Sequence, residues 1–326
     1  MKKVLIIQTA FLGDVILATA LVEKIHTDFP GAEISMLVRE GNESLLKNHP
    51  FLKEVLVRKK KSGNVSGMLE ILKAIRKGKY DVVFNLHRFF SSGFLTAFSG
   101  ALLRVGFRQN PLSFLFTHVT NHVIGDHRHE VERNQELLNG FTEGGKTLPK
   151  LYPSEQDFKN TAPYKSSPYV TMAPASVWFT KQLPENKWVE MIKSAAPGLT
   201  IYLLGAPGDF ELCNRIEVAS GNKSVVNLAG KLSLLESAAL MKDATMNYVN
   251  DSGPLHISSA MNAPVTAFFL STTPAFGFGP LSDVSTIIET EIKLDCKPCG
   301  LHGFKSCPQQ HFKCGTTIIV PKPGVN

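Results

Sequence analysis

At 326 residues the chain is too long for one ordinary hydrophobic core, so two domains are expected. A hydrophobic share of 43% with 19% charged residues excludes a disordered chain, and no apolar run is long enough to cross a bilayer. The net charge of +7 favours an anionic partner such as a phosphate, a sugar nucleotide or an anionic lipid surface; with no groove-reading module, nucleic acid is not expected.

Strand-like and helix-like segments alternate. Residues 4–7 read as a buried strand and 15–29 as a helix. Lys2-Lys3, the apolar run and Ala18-Thr19-Ala20 imitate a secretory leader, but Asp14 breaks the apolar stretch, so a cytoplasmic protein is expected. Strands follow at 34–38 and 55–57, then a helix at 68–76 with Leu69, Leu72 and Ile75 at helical spacing. A strand at 81–86, a helix at 91–98 and a polar-faced helix at 131–141 complete the first half. Residues 152–168, rich in Pro, Ser, Asn and Lys, read as a linker, which sets domains of 1–160 and 161–326. The pattern restarts with strands at 169–173, 200–204, 225–226, 246–249 and 265–269, separated by helices at 185–195, 210–219, 234–241 and 255–261. Such alternation gives a parallel sheet with helices on both faces, here twice. The tail from Leu294 is rich in Cys, Gly, Pro and Lys.

Two turns carry the chemistry. Gln8-Thr9-Ala10-Phe11-Leu12-Gly13-Asp14 follows the first strand, and Asn250-Asp251-Ser252-Gly253-Pro254-Leu255-His256 follows the strand at 246–249. Each places a carboxylate where a strand C-terminus meets a helix N-terminus, the position at which open α/β sheets bind ligands. One such turn in each half implies two domains facing one cleft. At the second turn Pro254 suits an early helical position, and free backbone N–H groups there suit a diphosphate.

Some features point elsewhere. Gly140 to Thr147 satisfies the pattern GxxxxGK[ST], but it follows a helix, and Pro149 and Pro153 forbid a helix after it, so it is not read as a phosphate loop. In a reducing compartment Cys296, Cys299, Cys307 and Cys314 would be thiols packing the tail or ligands of a structural zinc.

The Gly13-Asp14 turn, residues 172–188, residues 203–211 and residues 250–280, in this order, resemble glycosyltransferase family 9, the heptosyltransferases of lipopolysaccharide inner-core synthesis. The resemblance implies a GT-B fold: α/β, with two Rossmann-like parallel-sheet domains facing a cleft, acceptor on the N-terminal side and nucleotide sugar on the C-terminal side. It implies inverting, metal-independent transfer of heptose from ADP-heptose to a nascent lipid A–core acceptor, peripherally at the anionic inner membrane's cytoplasmic face. Asp14 then takes the part of the catalytic base. Ser176, Lys181, Ser252 and Gly253 would hold the diphosphate, Asp251 and His256 the donor sugar, and Asp209 the ribose. Pro254 and the pair Gln182-Leu183 depart from the family's usual residues. A phosphorylated acceptor calls for basic side chains in the first half: Arg58 and Lys60 in the run Arg58-Lys59-Lys60-Lys61, Arg88, Arg104, Arg108, and the pair His129 and Arg133. The alternatives are the same fold with another nucleotide sugar, or a non-catalytic lipopolysaccharide- or nucleotide-binding module.

Overall fold

The computed structural model describes residues 1–59, 65–142 and 144–324. The chain divides into two compact units, Met1–Tyr152 and Pro153–Asn326. The division precedes the expected 160/161 boundary because residues 155–161 are a helix rather than linker. This helix is held on the second unit by Asn160, whose Nδ2 donates to Glu236 Oε1 at 2.6 Å.

In the first unit β1 (Lys3–Ile7), α1 (Leu12–Asp28), β2 (Glu33–Arg39), β3 (Leu52–Arg58), α2 (Val65–Gly78), β4 (Val82–Asn85), α3 (Phe90–Ala97), β5 (Leu103–Phe107), β6 (His118–Thr120) and α4 (Glu130–Gln135) follow in turn. The sheet is wholly parallel, in the order β3-β2-β1-β4-β5-β6. Val4, Leu5, Ile6 and Ile7 are all fully buried, as a central strand covered on both faces requires. Helix α1 is buried along residues 15–25, and the segment around residue 147 closes over it: Thr147 Oγ1 donates to Ala20 O at 2.7 Å and Lys24 Nζ to Gly144 O at 2.6 Å. The described residues at the end of the GxxxxGK[ST] stretch thus belong to this cover, and residues 148–154, directly after it, are not helical.

The second unit runs α5 (Glu155–Thr161), β7 (Tyr169–Ala173), α6 (Glu185–Lys193), β8 (Thr200–Leu203), α7 (Phe210–Ser220), β9 (Val225–Asn227), α8 (Leu234–Lys242), β10 (Met246–Asn250), α9 (Gly253–Met261), β11 (Val265–Phe268), β12 (Ser285–Ile288) and α10 (Lys313–Thr316). Its sheet order, β12-β11-β10-β7-β8-β9, is the first unit's topology repeated. Trp188, fully buried, stands edge-on to Phe268 and donates its indole N–H to Leu183 O at 3.1 Å, which anchors the end of the β7–α6 loop in the core.

Three strands were not foreseen. β5 is interrupted by Arg104 and Gly106, β6 has only three residues, and β12 is a largely exposed edge strand, so none shows a clean apolar run. The helix expected at 131–141 stops early: α4 ends at Gln135 and a short 3₁₀ turn follows at Glu136–Leu138. Gly140, with φ +84°, turns the chain away.

Candidate active site

In each sheet the strand order reverses between two neighbours, β1/β4 in the first and β7/β10 in the second. Such a switch point leaves a crevice at the strands' C-terminal edge. Both signature turns stand there.

In the first unit Asp14 lies in the first turn of α1, where Phe11 N–H donates to its Oδ2 at 3.2 Å. Desolvation is the largest influence on this half-buried carboxyl and the Glu130 charge adds to it. They outweigh the backbone N–H groups and Arg88, so the pKa is pushed up to about 6. Across the switch point Thr9 Oγ1 and His87 Nδ1 are 3.0 Å apart. Burial, with Arg88 and Arg58 nearby, pushes His87 down to about 4. Arg58, the last residue of β3, donates to Ser91 Oγ at 2.9 Å, and Arg88 NH1 lies 3.3 Å from His122 Nδ1. Arg108 follows β5, is exposed, and donates to Asn121 Oδ1 at 3.1 Å. Arg39 ends β2 with its guanidinium 5.0 Å above the Phe11 ring. One sheet edge therefore carries a raised-pKa carboxylate and several guanidiniums, which suits a hydroxyl nucleophile on an anionic molecule.

Other expected acceptor residues stand elsewhere. Arg104, near the start of β5, is at the opposite end of the strand, where its Nε and NH1 donate to Leu115 O at 3.2 Å and Ala101 O at 2.7 Å. His129 is not on a helical face with Arg133. It is the N-cap of α4, its Nδ1 accepting from Val131 N–H at 3.1 Å. Arg133 is fully buried and donates to Glu130 Oε2 (3.0 Å), Asp126 Oδ1 (3.1 Å), Val123 O (3.2 Å) and Arg128 O (2.7 Å). Its charge is spent on holding the loop before α4. Lys60 lies outside the described residues. His122, Glu130, His87 and Arg39 join the edge without having been foreseen.

In the second unit Lys181 Nζ stands 2.7 Å from Asp251 Oδ2, which also accepts from Thr272 Oγ1 at 2.6 Å. The loops after β7, β10 and β11 thus converge on one carboxylate. Asn250 braces them: it accepts from Leu183 N–H at 3.0 Å and donates to Pro174 O at 2.8 Å. Gln182, where a basic residue is usual, donates to Ser176 O at 2.5 Å and closes the loop. Ser252 is the N-cap of α9, but its hydroxyl makes no capping bond and turns 3.4 Å from Asn250 O. The Ser252 side chain therefore does not cap the first N–H groups of the helix, and a helix N-terminus of this kind can receive phosphate. His256 is buried in the first turn of α9. Asp209 ends the turn after β8 and accepts from Ala206 N–H at 2.8 Å.

The sequence profile of glycosyltransferase family 9 (heptosyltransferase) matches residues 68–303, well over half the chain. The chain belongs to glycosyltransferase family 9. Lipopolysaccharide heptosyltransferase 3 of Escherichia coli K12 is 26% identical to this glycosyltransferase over 283 residues, 81% of each chain. Among solved structures, Escherichia coli ADP-heptose lipopolysaccharide heptosyltransferase II superposes with a TM-score of 0.78 at 23% identity, covering 92% of this chain and 96% of that one. Escherichia coli heptosyltransferase WaaC with ADP-2-deoxy-2-fluoro heptose gives 0.72 at 23% identity, covering 88% and 93%. The family 9 enzyme accordingly has the GT-B fold, with two Rossmann-like parallel-sheet units.

The glycosyltransferase's tail bears on the Lys181 loop. Thr180 N–H donates to Phe304 O at 3.1 Å, Phe304 N–H to Thr180 Oγ1 at 2.8 Å, and Ser271 Oγ to the same hydroxyl at 3.0 Å. A Cβ at Gly303 would overlap Trp178 and stand 2.9 Å from Lys181 Cγ. Cys296, Cys299, Cys307 and Cys314 are free thiols, and burial pushes Cys314 up to about 11. Among the described residues no three His, Cys, Asp or Glu side chains are grouped to hold a metal ion. A structural zinc, the alternative to thiols that pack the tail, has no preformed ligand set among the described residues.

Proposed function

We propose that this glycosyltransferase moves heptose from ADP-heptose to the inner core of a lipid A–core acceptor, inverting the anomeric carbon and using no metal ion. The observation that carries the reading is the Asp14 carboxyl, pushed up to about 6 on a sheet edge with Arg58, Arg88 and Arg108. A base of that strength is ionised at neutral pH yet takes up a proton more readily than an ordinary carboxylate. Asp14 accepts the proton of the acceptor hydroxyl as that oxygen bonds to C1. The bond from C1 to the phosphate oxygen breaks, and ADP leaves with the electron pair. Attack opposite the leaving group inverts C1.

On the second unit, Lys181 and the N–H groups at Ser252 and Gly253 stabilise charge building on the departing diphosphate, the task a metal ion performs in other designs. Ser176 adds a hydroxyl, Asp209 meets the ribose, and Asp251 and His256 meet the sugar. On the first unit Arg58, Arg88 and Arg108 receive the acceptor's anionic groups. The net charge of +7 favours peripheral contact with the anionic cytoplasmic face of the inner membrane. Among the described residues no helix is long and apolar enough to cross it.

Calorimetric titration with ADP, UDP, GDP and CDP in excess chelator, followed by transfer assays on truncated lipid A–core acceptors, tests this. ADP should bind at least tenfold more tightly than the others, and transfer should proceed at an undiminished rate. A preference for UDP or GDP would overturn the heptose donor, and a chelator-sensitive rate would overturn metal independence.

A further inference from the structure

A chain of polar side chains runs from the loop after β4 to α4, the helix that packs on α1 and so brings its charges to bear on Asp14. Arg88 NH1 lies 3.3 Å from His122 Nδ1, and His122 Nε2 lies 2.9 and 3.1 Å from the two carboxylate oxygens of Glu130. A guanidinium only donates and an ionised carboxylate only accepts. Both contacts are hydrogen bonds in one arrangement alone: the imidazole is neutral, its proton is on Nε2, and Nδ1 accepts from Arg88. An imidazolium would set a second donor against the guanidinium.

Glu130 is itself fixed, because buried Arg133 donates to its Oε2 at 3.0 Å. The groups facing Asp14 from the elements packed on it are Glu130 of α4 and Arg88 after β4, of opposite sign.

We propose that His122 and Glu130 are positioning residues of the transfer reaction, holding the Arg88 guanidinium beside Asp14 where it meets an anionic group of the acceptor, while Glu130 supplies the negative charge that poises the base. This rests on Asp14 being the base. Neither residue touches substrate; both act through Arg88 and Asp14. The pair has two opposed effects, since Glu130 raises the affinity of Asp14 for a proton and Arg88 lowers it.

The opposition makes the test specific. Glu130→Gln keeps an acceptor for His122 Nε2–H, so Arg88 stays in place while the charge is lost. The acid limb of kcat/KM should then move down by about half a pH unit. His122→Leu releases Arg88, so the limb should move up and the KM for acceptor should rise about tenfold, with donor KM unchanged. His122→Gln offers one amide that donates to Glu130 and accepts from Arg88, and should restore most of the acceptor KM.

The Asp14 carboxyl, followed by ¹³C NMR in the full chain without substrate, should show the same two opposed shifts. Unmoved or parallel shifts would overturn the relay, as would His122→Gln being as impaired as His122→Leu. If the NMR shifts appear while the wild-type protein transfers no sugar, the relay stands and the transfer reading falls. If transfer depends on Asp14 but these variants match wild type, the relay alone falls.

Discussion

The two units repeat one strand order, yet they treat the carboxylate at their switch points in opposite ways. Asp14 accepts a backbone N–H, and desolvation, with the Glu130 charge outweighing that of Arg88, raises its pKa to about 6. Asp251 shares one oxygen between the Lys181 ammonium and the Thr272 hydroxyl. Topology decides where a functional carboxylate stands. The side chains that reach it from neighbouring loops decide whether it moves a proton or anchors a cation.

That contrast is broken most severely at Asp14. Asp14→Asn should lower the transfer rate about 10³-fold, because the amide takes no proton. The ADP dissociation constant should stay within twofold, since the residues proposed to bind the nucleotide belong to the other unit. A rate within tenfold of wild type would remove Asp14 as base. Lys181→Met tests the other side. With the ammonium gone, the diphosphate loses a charge-assisted contact and meets an uncompensated Asp251, so ADP binding should weaken roughly 30-fold. The acid limb of the rate profile should not move. A shifted limb with unchanged ADP affinity would reverse the roles of the two units.

A subtler change sharpens the contrast further. Gly303→Ala places a methyl group against Trp178 and Lys181 Cγ. Something must give, and the tail's grip on Thr180 makes the Lys181 loop the element that shifts. We expect ADP affinity to fall about tenfold with no change in the first unit's amide exchange. Unchanged affinity would show that the tail merely covers the loop.

The chain's own letters disclosed this much unevenly. β1, β7 and β10 were legible because buried parallel strands are largely apolar runs, and the turns after β1 and β10 because each joins Gly or Pro to a carboxylate. Arg104 and Arg108 show the limit. Four residues along a strand is about 13 Å, so one falls at the C-terminal edge and the other at the far end, and only the strand's bounds tell which. β5 was too irregular to bound. Arg133 looked like an exposed helical arginine, but its burial depends on Asp126 and Glu130 folding around it. Glu130 and His122 were invisible for the same reason: their value lies in proximity to Asp14 and Arg88, which fold brings about and local pattern does not mark. The tail's contact with the Lys181 loop likewise depends on Gly303 meeting Trp178 in space.

The smallest expected effect is a difference in acid tolerance. The first unit holds His49 and His87 neutral. Burial depresses both to about 4, with His26 adding at His49 and the neighbouring arginines at His87, against an ordinary 6.5. As pH falls through 6.5 the unfolded chain binds protons that the folded unit refuses, so stability is lost down to about pH 4. Asp14 works the other way: its raised pKa lets the fold keep a proton between about 6 and 3.8 that the unfolded chain releases, adding stability as pH falls. Two histidines against one half-exposed carboxyl leave a net loss of about 2 kcal/mol between pH 7 and 5. Amide exchange across β1–β6, corrected for intrinsic rates, should accelerate accordingly on acidification, while exchange across β7–β12 changes less. His49→Leu carries no titrating group beside Glu23 and Tyr152 and should remove most of the difference, because the remaining histidine is largely offset by Asp14. Equal acceleration in both sheets would show that the acid response belongs to the whole chain, and that the histidines of the first unit do not set it.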